Sequence, residues 1–188
     1  MTERFDYSKS IIHPDYRSLS SRQEYESRPK IEGVCIGQAK HFIAEDGTFS
    51  EVTRLSESGK IELNGMPEME VRQINFSMMI PGTTKAWHFH LNQDEIWMPT
   101  PDSSPLIVGL MDLREKSSTK GEVMRLILGQ GKPYQVYIPR GVAHGVANRS
   151  QEKAGLIYLV SNHFDGTDEH RLPYDHQVGK DFWEVQPG

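Results

Sequence analysis

Four side chains able to bind metal or move protons fall in two short stretches. His88 and His90 are one residue apart, Glu95 follows shortly after, and His144 lies in Pro139-Arg140-Gly141-Val142-Ala143-His144 with Asn148 beyond it. On a β-strand, residues i and i+2 share a face and sit roughly 7 Å apart. Both imidazoles then point the same way, and a turn at Asn92-Gln93 returns Glu95 on the next strand to meet them. Two histidines and one carboxylate can occupy one side of a first-row transition metal and leave the other side open. The spacing therefore predicts that His88, His90, Glu95 and His144 converge as ligands of a divalent metal ion, Fe, Mn, Ni or Zn, with Asp94 as the alternative acid. Without metal the same residues would act as bases and hydrogen-bond donors. The two roles exclude each other at His88, because an imidazole nitrogen bound to metal has no lone pair left for a proton.

Holding such a cluster requires short, rigid strands, and the chain supplies them. After an arm over residues 1–30, β-favouring runs occur at 34–39, 49–55, 71–80, 86–91, 95–98, 106–113, 122–128, 135–138, 143–147 and 155–160. Glu45-Asp46-Gly47, Ser58-Gly59, Asn64-Gly65, Gly129-Gln130-Gly131 and Pro139-Arg140-Gly141 punctuate them with turn residues. Many short strands without a long 3.6-residue period predict an all-β jelly roll over residues 31–188. Leu106-Ile107-Val108-Gly109-Leu110 and Leu156-Ile157-Tyr158-Leu159-Val160 are nearly continuous apolar runs, as in strands buried on both faces or at a subunit contact. Tyr158 interrupts the second with a phenol that needs a polar partner.

The 188 residues fit one domain, and a net charge of −5 without runs of like charge offers no footprint for nucleic acid or a membrane surface. A small-molecule substrate is expected. The single Cys35 cannot form an internal disulfide, reads as a core thiol, and with the lack of a long apolar run points to the cytoplasm.

The two stretches resemble the paired signature motifs of the cupin superfamily, G-x5-H-x-H-x4-E and P-x-G-x2-H-x3-N. Over 31–183 the chain is also similar to the dTDP-4-dehydrorhamnose 3,5-epimerases, cupins that act on nucleotide-linked 4-keto-6-deoxy sugars. The similarity is carried by Asp46-Gly47-Thr48-Phe49-Ser50-Glu51, Gln73-Ile74-Asn75-Phe76-Ser77, Met111-Asp112-Leu113-Arg114 through Gly121 and, most specifically, Tyr137-Ile138-Pro139-Arg140-Gly141-Val142-Ala143-His144-Gly145. The resemblance implies a cupin double-stranded β-helix, a homodimer, a nucleotide-sugar substrate and epimerisation by proton transfer. It implies His88 as the general base, Tyr158 as the proton carrier on the opposite face, and Glu51, Gln73, Asn75, Lys85, Arg140 and Phe164 as substrate-binding positions.

Two of four departures from the family pattern, at Asp46 and Glu95, remove positive charge. Lys85 and Asp46 stand where the family has arginines, Glu95 where it has the lysine that polarises the keto oxygen, and Phe164 where it has a tyrosine. The chain stops soon after Trp183, so the aspartate that partners the catalytic histidine is expected to be missing. A divalent metal at Glu95 would replace the lysine as Lewis acid, and a cation nearby would lower the Tyr158 pKa. Two further readings follow from the same residues: an iron-dependent dioxygenase, and a sugar-binding cupin that has lost catalysis.

Overall fold

The computed structural model describes residues 13–17, 30–63, 65–131 and 133–186. Most of the expected arm lies outside them, apart from one helical turn, α1 (Pro14–Arg17). Among the described residues the strands are β1 (Cys35–Gln38), β2 (His41–Ala44), β3 (Gly47–Ser50), β4 (Gln73–Met79), β5 (Thr84–Phe89), β6 (Glu95–Pro99), β7 (Leu106–Asp112), β8 (Val123–Leu128), β9 (Tyr134–Ile138), β10 (Val142–Asn148), β11 (Ala154–Val160) and β12 (His170–Arg171). They form two antiparallel five-stranded sheets, in the orders β1-β9-β6-β11-β4 and β12-β5-β10-β7-β8, with β2 and β3 as a separate hairpin. This is the expected jelly-roll barrel.

The continuous apolar runs are strands with both faces covered. In β7, Leu106, Val108 and Leu110 join the cluster between the sheets, whereas Ile107 and Met111 pack outward against Trp87 and Trp183. In β11, Leu156 faces the inner cluster and Leu159 a third one, with Ile61 and Ile96. The outer layer depends on close approach. A Cβ on Gly109 would lie 2.6 Å from Phe182 and 2.7 Å from Trp183, so only glycine leaves room for the C-terminal 3-10 turn Lys180–Trp183.

Three expectations shift. The run at 49–55 forms a strand only to Ser50, because its partner is β2, which the expected strands omitted; beyond it only Leu55 makes an isolated bridge, to Ile61. β12 was not expected either, and it extends the second sheet beside β5. Cys35 is half-buried on β1, at a sheet edge, and so is not a core residue.

Candidate active site

A cavity of about 540 Å³ opens between the sheets, lined by β5, β6, β10, β11 and β12. His88, His90, Glu95, His144, Tyr158 and Lys85 all line it. The register between β10 and β5 slips by one residue, from His144 opposite His88 to Val146 opposite Lys85. Such a slip changes which side chains face inward. Lys85 accordingly reaches the cavity beside His88, while Trp87 packs in the outer cluster.

Three of the four expected ligands converge. One donor atom each from His90, Glu95 and His144 lies within 4.8 Å of the other two, and all three residues are buried. His90 Nε2 is 3.1 Å from Glu95 Oε1, and His144 Nε2 is 3.7 Å from Glu95 Oε2. Gln93 Nε2 and Trp97 Nε1 also donate to the carboxylate, at 2.8 and 2.5 Å. Asp94 points elsewhere and takes a forked pair of hydrogen bonds from Arg140.

The outer nitrogens define the tautomers. His90 Nδ1 lies 2.8 Å from the Asp168 carbonyl and His144 Nδ1 lies 3.2 Å from the Val142 carbonyl. A carbonyl only accepts, so both Nδ1 atoms carry hydrogen and both neutral rings would aim an Nε2 lone pair at a carboxylate. Something positive must sit between them. A proton on His90 is one solution. Burial disfavours the imidazolium, but the hydrogen bond and charge of Glu95 outweigh that and raise the His90 pKa. Burial likewise opposes the Glu95 carboxylate, yet the neighbouring histidines bring its pKa down to about 2. His144, deeper still, has its pKa lowered by burial. A divalent cation is the other solution, and carbonyl-anchored Nδ1–H groups are the usual way a protein orients histidine ligands.

His88 stands outside this cluster, which corrects the expected four-ligand set. Its Nδ1 is 2.6 Å from Glu169 Oε1, and its Nε2 has no partner among the described residues. The cause is β12. Arg171 pairs with His88 and His170 with Phe89, so Glu169, one residue earlier, sits diagonally across from His88 on the same face. The aspartate expected to be missing is thus answered by a glutamate from the preceding segment. The sequence signal was Asp168-Glu169-His170, an acidic step beside a histidine in a stretch where no strand was expected.

Tyr158 is half-buried on β11, across the cavity from β5. Burial raises its pKa, and the charges of Glu95 and Glu169 raise it further, the reverse of the expected lowering. The phenol stays protonated at neutral pH.

The remaining candidates are not lining residues of this cavity, although Gln73 and Asn75 share their face of β4 with Ser77, which is, and Asn75 stands opposite Tyr158. Glu51 pairs with Arg54 at 2.9 Å. Gln73 donates to Asn75 Oδ1 at 2.7 Å and accepts from the Phe164 amide at 2.9 Å. Phe164 is 70 % exposed beside a smaller polar cavity that shares His90 and Glu169 with the first. Arg140 is committed to Asp94.

Comparison with known proteins agrees with this architecture. The sequence is 33 % identical over 159 residues to the spore coat polysaccharide biosynthesis protein SpsL of Bacillus subtilis, covering 83 % of this chain and 98 % of that protein. It is 32 % identical over 160 residues to the probable low-salt glycan biosynthesis epimerase Agl13 of Haloferax volcanii, covering 84 % and 97 %. The fold is similar to the dTDP-6-deoxy-D-glucose-3,5-epimerase RmlC of Legionella pneumophila, solved with dTDP-4-keto-L-rhamnose, at a TM-score of 0.70 and 25 % identity over 84 % of this chain and 82 % of that one. The profile of the dTDP-4-dehydrorhamnose 3,5-epimerases matches residues 28–186. The chain is therefore an enzyme of the sugar epimerase type and belongs to the dTDP-4-dehydrorhamnose 3,5-epimerase family.

Proposed function

We propose that the enzyme inverts a carbon next to the carbonyl of a nucleotide-linked keto sugar, with His88 removing a proton from one face and Tyr158 returning one to the other. The observation that carries this reading is the placement of an oriented His88–Glu169 pair and a protonated Tyr158 on opposite walls of one cavity. Glu169 holds hydrogen on Nδ1 and leaves the Nε2 lone pair free to take a proton. The resulting imidazolium is stabilised by the same carboxylate. The dioxygenase reading gives neither the pair nor the phenol a task. The test is incubation of dTDP-4-keto-6-deoxyglucose with the enzyme in D2O, followed by mass spectrometry. Deuterium entering the sugar in wild type and not in His88→Ala is the expected result; no exchange in wild type would refute it.

We further propose that His90, Glu95 and His144 hold a divalent metal ion, Fe, Mn, Ni or Zn. The support is the donor set itself, three mutually close acceptors that a divalent cation would satisfy together, with both outer nitrogens anchored. Such an ion polarises a carbonyl oxygen. His88 remains free of the cluster, so a base and a metal site coexist. About one equivalent of metal per chain in wild type, lost in Glu95→Gln along with a metal-dependent rise in melting temperature, is expected. Wild type that takes up none of the four ions would leave the proton on His90 as the answer.

The homodimer is proposed on one unpartnered face. Ile74, Phe76 and Met78 alternate along the edge strand β4 and are 63 %, 58 % and 46 % exposed. Apolar strips of this kind on a strand mark contact surfaces. The cytoplasmic assignment rests on the single cysteine and the proposed substrate; no described helix is long and apolar enough to cross a membrane.

A further inference from the structure

Among the described residues Arg171 has no side-chain partner in a hydrogen bond or ion pair, and it lines the cavity. It differs in this from the other arginines whose side chains are described. Arg54, Arg72, Arg114, Arg140 and Arg149 each hold a carboxylate, and Arg125 binds the Phe182 and Glu184 carbonyls. Glu169, the nearest acid along the strand, is engaged by His88. β12 places Arg171 directly opposite His88, so its side chain leaves the sheet on the cavity side. Lys85, the other cation in the lining, has among the described residues only the neutral Ser77 hydroxyl as side-chain partner, at 2.7 Å.

Both cations are exposed, whereas Glu95 and His144 in the same lining are buried. The cavity thus carries exposed positive charge from Lys85 and Arg171, a partly exposed carboxylate, Glu169, that is engaged by His88, and one buried carboxylate, Glu95. An arginine fork matches two oxygens of a phosphate, and a lysine adds a point charge beside it. We propose that Arg171, assisted by Lys85, is a specificity-determining residue that anchors the diphosphate of the substrate at the cavity mouth. It supplies from β12 the charge that Asp46 cannot, since Asp46 sits in the turn of the β2–β3 hairpin, away from the cavity lining. This inference rests on the nucleotide-sugar reading above.

Calorimetric titration with thymidine diphosphate and with thymidine tests it, using wild type, Arg171→Ala, Arg171→Lys and, as control, Arg72→Ala. Arg171→Ala is expected to weaken thymidine diphosphate about 10- to 100-fold and leave thymidine unchanged, with Arg171→Lys in between and Arg72→Ala like wild type. The proposal is overturned if Arg171→Ala binds the diphosphate within twofold of wild type, if both ligands weaken equally, or if wild type binds the diphosphate no tighter than thymidine. The deuterium assay separates the two readings. Exchange in wild type with an unaffected Arg171→Ala titration removes the anchor alone. Diphosphate affinity that depends on Arg171 without exchange keeps the anchor and removes the epimerase mechanism.

Discussion

Replacing Glu169 by glutamine isolates the charge of the carboxylate from its geometry. The glutamine carbonyl can still accept the His88 Nδ1–H that Glu169 Oε1 now accepts at 2.6 Å, so the tautomer and the aim of Nε2 are preserved. What disappears is the attraction that favours the imidazolium formed when His88 takes its proton. At about 4 Å between charge centres and an effective dielectric near 20, that attraction is about 4 kcal/mol. The two side chains are 24 % and 27 % exposed, so solvent screens part of it. A loss of about 2 to 3 kcal/mol corresponds to a fall of about 30- to 150-fold in kcat. KM should stay within about twofold, because the missing interaction grows only as the proton moves. The assay is deuterium uptake into the keto sugar under saturation, with thermal melting to show that the variant is folded. A Glu169→Gln enzyme with kcat within threefold of wild type would refute the base assignment.

Tyr158→Phe keeps the ring and should leave the barrel folded, while product formation falls by about 10² to 10⁴ and deuterium still enters from the His88 side; full turnover would make Tyr158 a packing residue. Asp112→Asn should destabilise the fold by about 3 to 5 kcal/mol, since Arg114, Ser117 and Thr119 all donate to this buried carboxylate. Burial opposes the Asp112 charge, but these donors outweigh it and hold the pKa well below the usual carboxylate range. A depressed pKa gives stability that is present above about pH 4 and lost as pH falls further, so denaturant melts of wild type should weaken there and those of Asp112→Asn less steeply. Parallel curves would contradict this. Phe76→Asp should convert a dimer into a monomer of 21.5 kDa at micromolar concentration by sedimentation, and wild type already monomeric would dismiss the β4 interface.

The barrel and the inward cluster were legible because strands repeat with a period of two. His88 and His90 share a face for that reason, and Glu95 and His144 open or occupy fully buried strands on either side of the cavity. β2 was hidden by its length, four residues joined by a tight turn to a strand that looked longer than it is. β12 was hidden more completely. Two residues carry no alternation to detect, and the backbone bonds between Trp87 and Leu172 that fix it exist only once the chain folds back onto β5.

Spacing settles which face a side chain occupies, but the partner of that side chain decides its chemistry. In His88-Phe89-His90 the two imidazoles share the cavity, yet one meets Glu169 from β12 and the other meets Glu95 from β6. In the proposed mechanism the histidine with a neighbouring carboxylate on Nδ1 and a free Nε2 moves the proton. The histidine with a carbonyl on Nδ1 and a carboxylate on Nε2 is the one proposed to stay cationic or to hold a cation. Because each ring has its own carboxylate, the conflict expected at His88 does not arise.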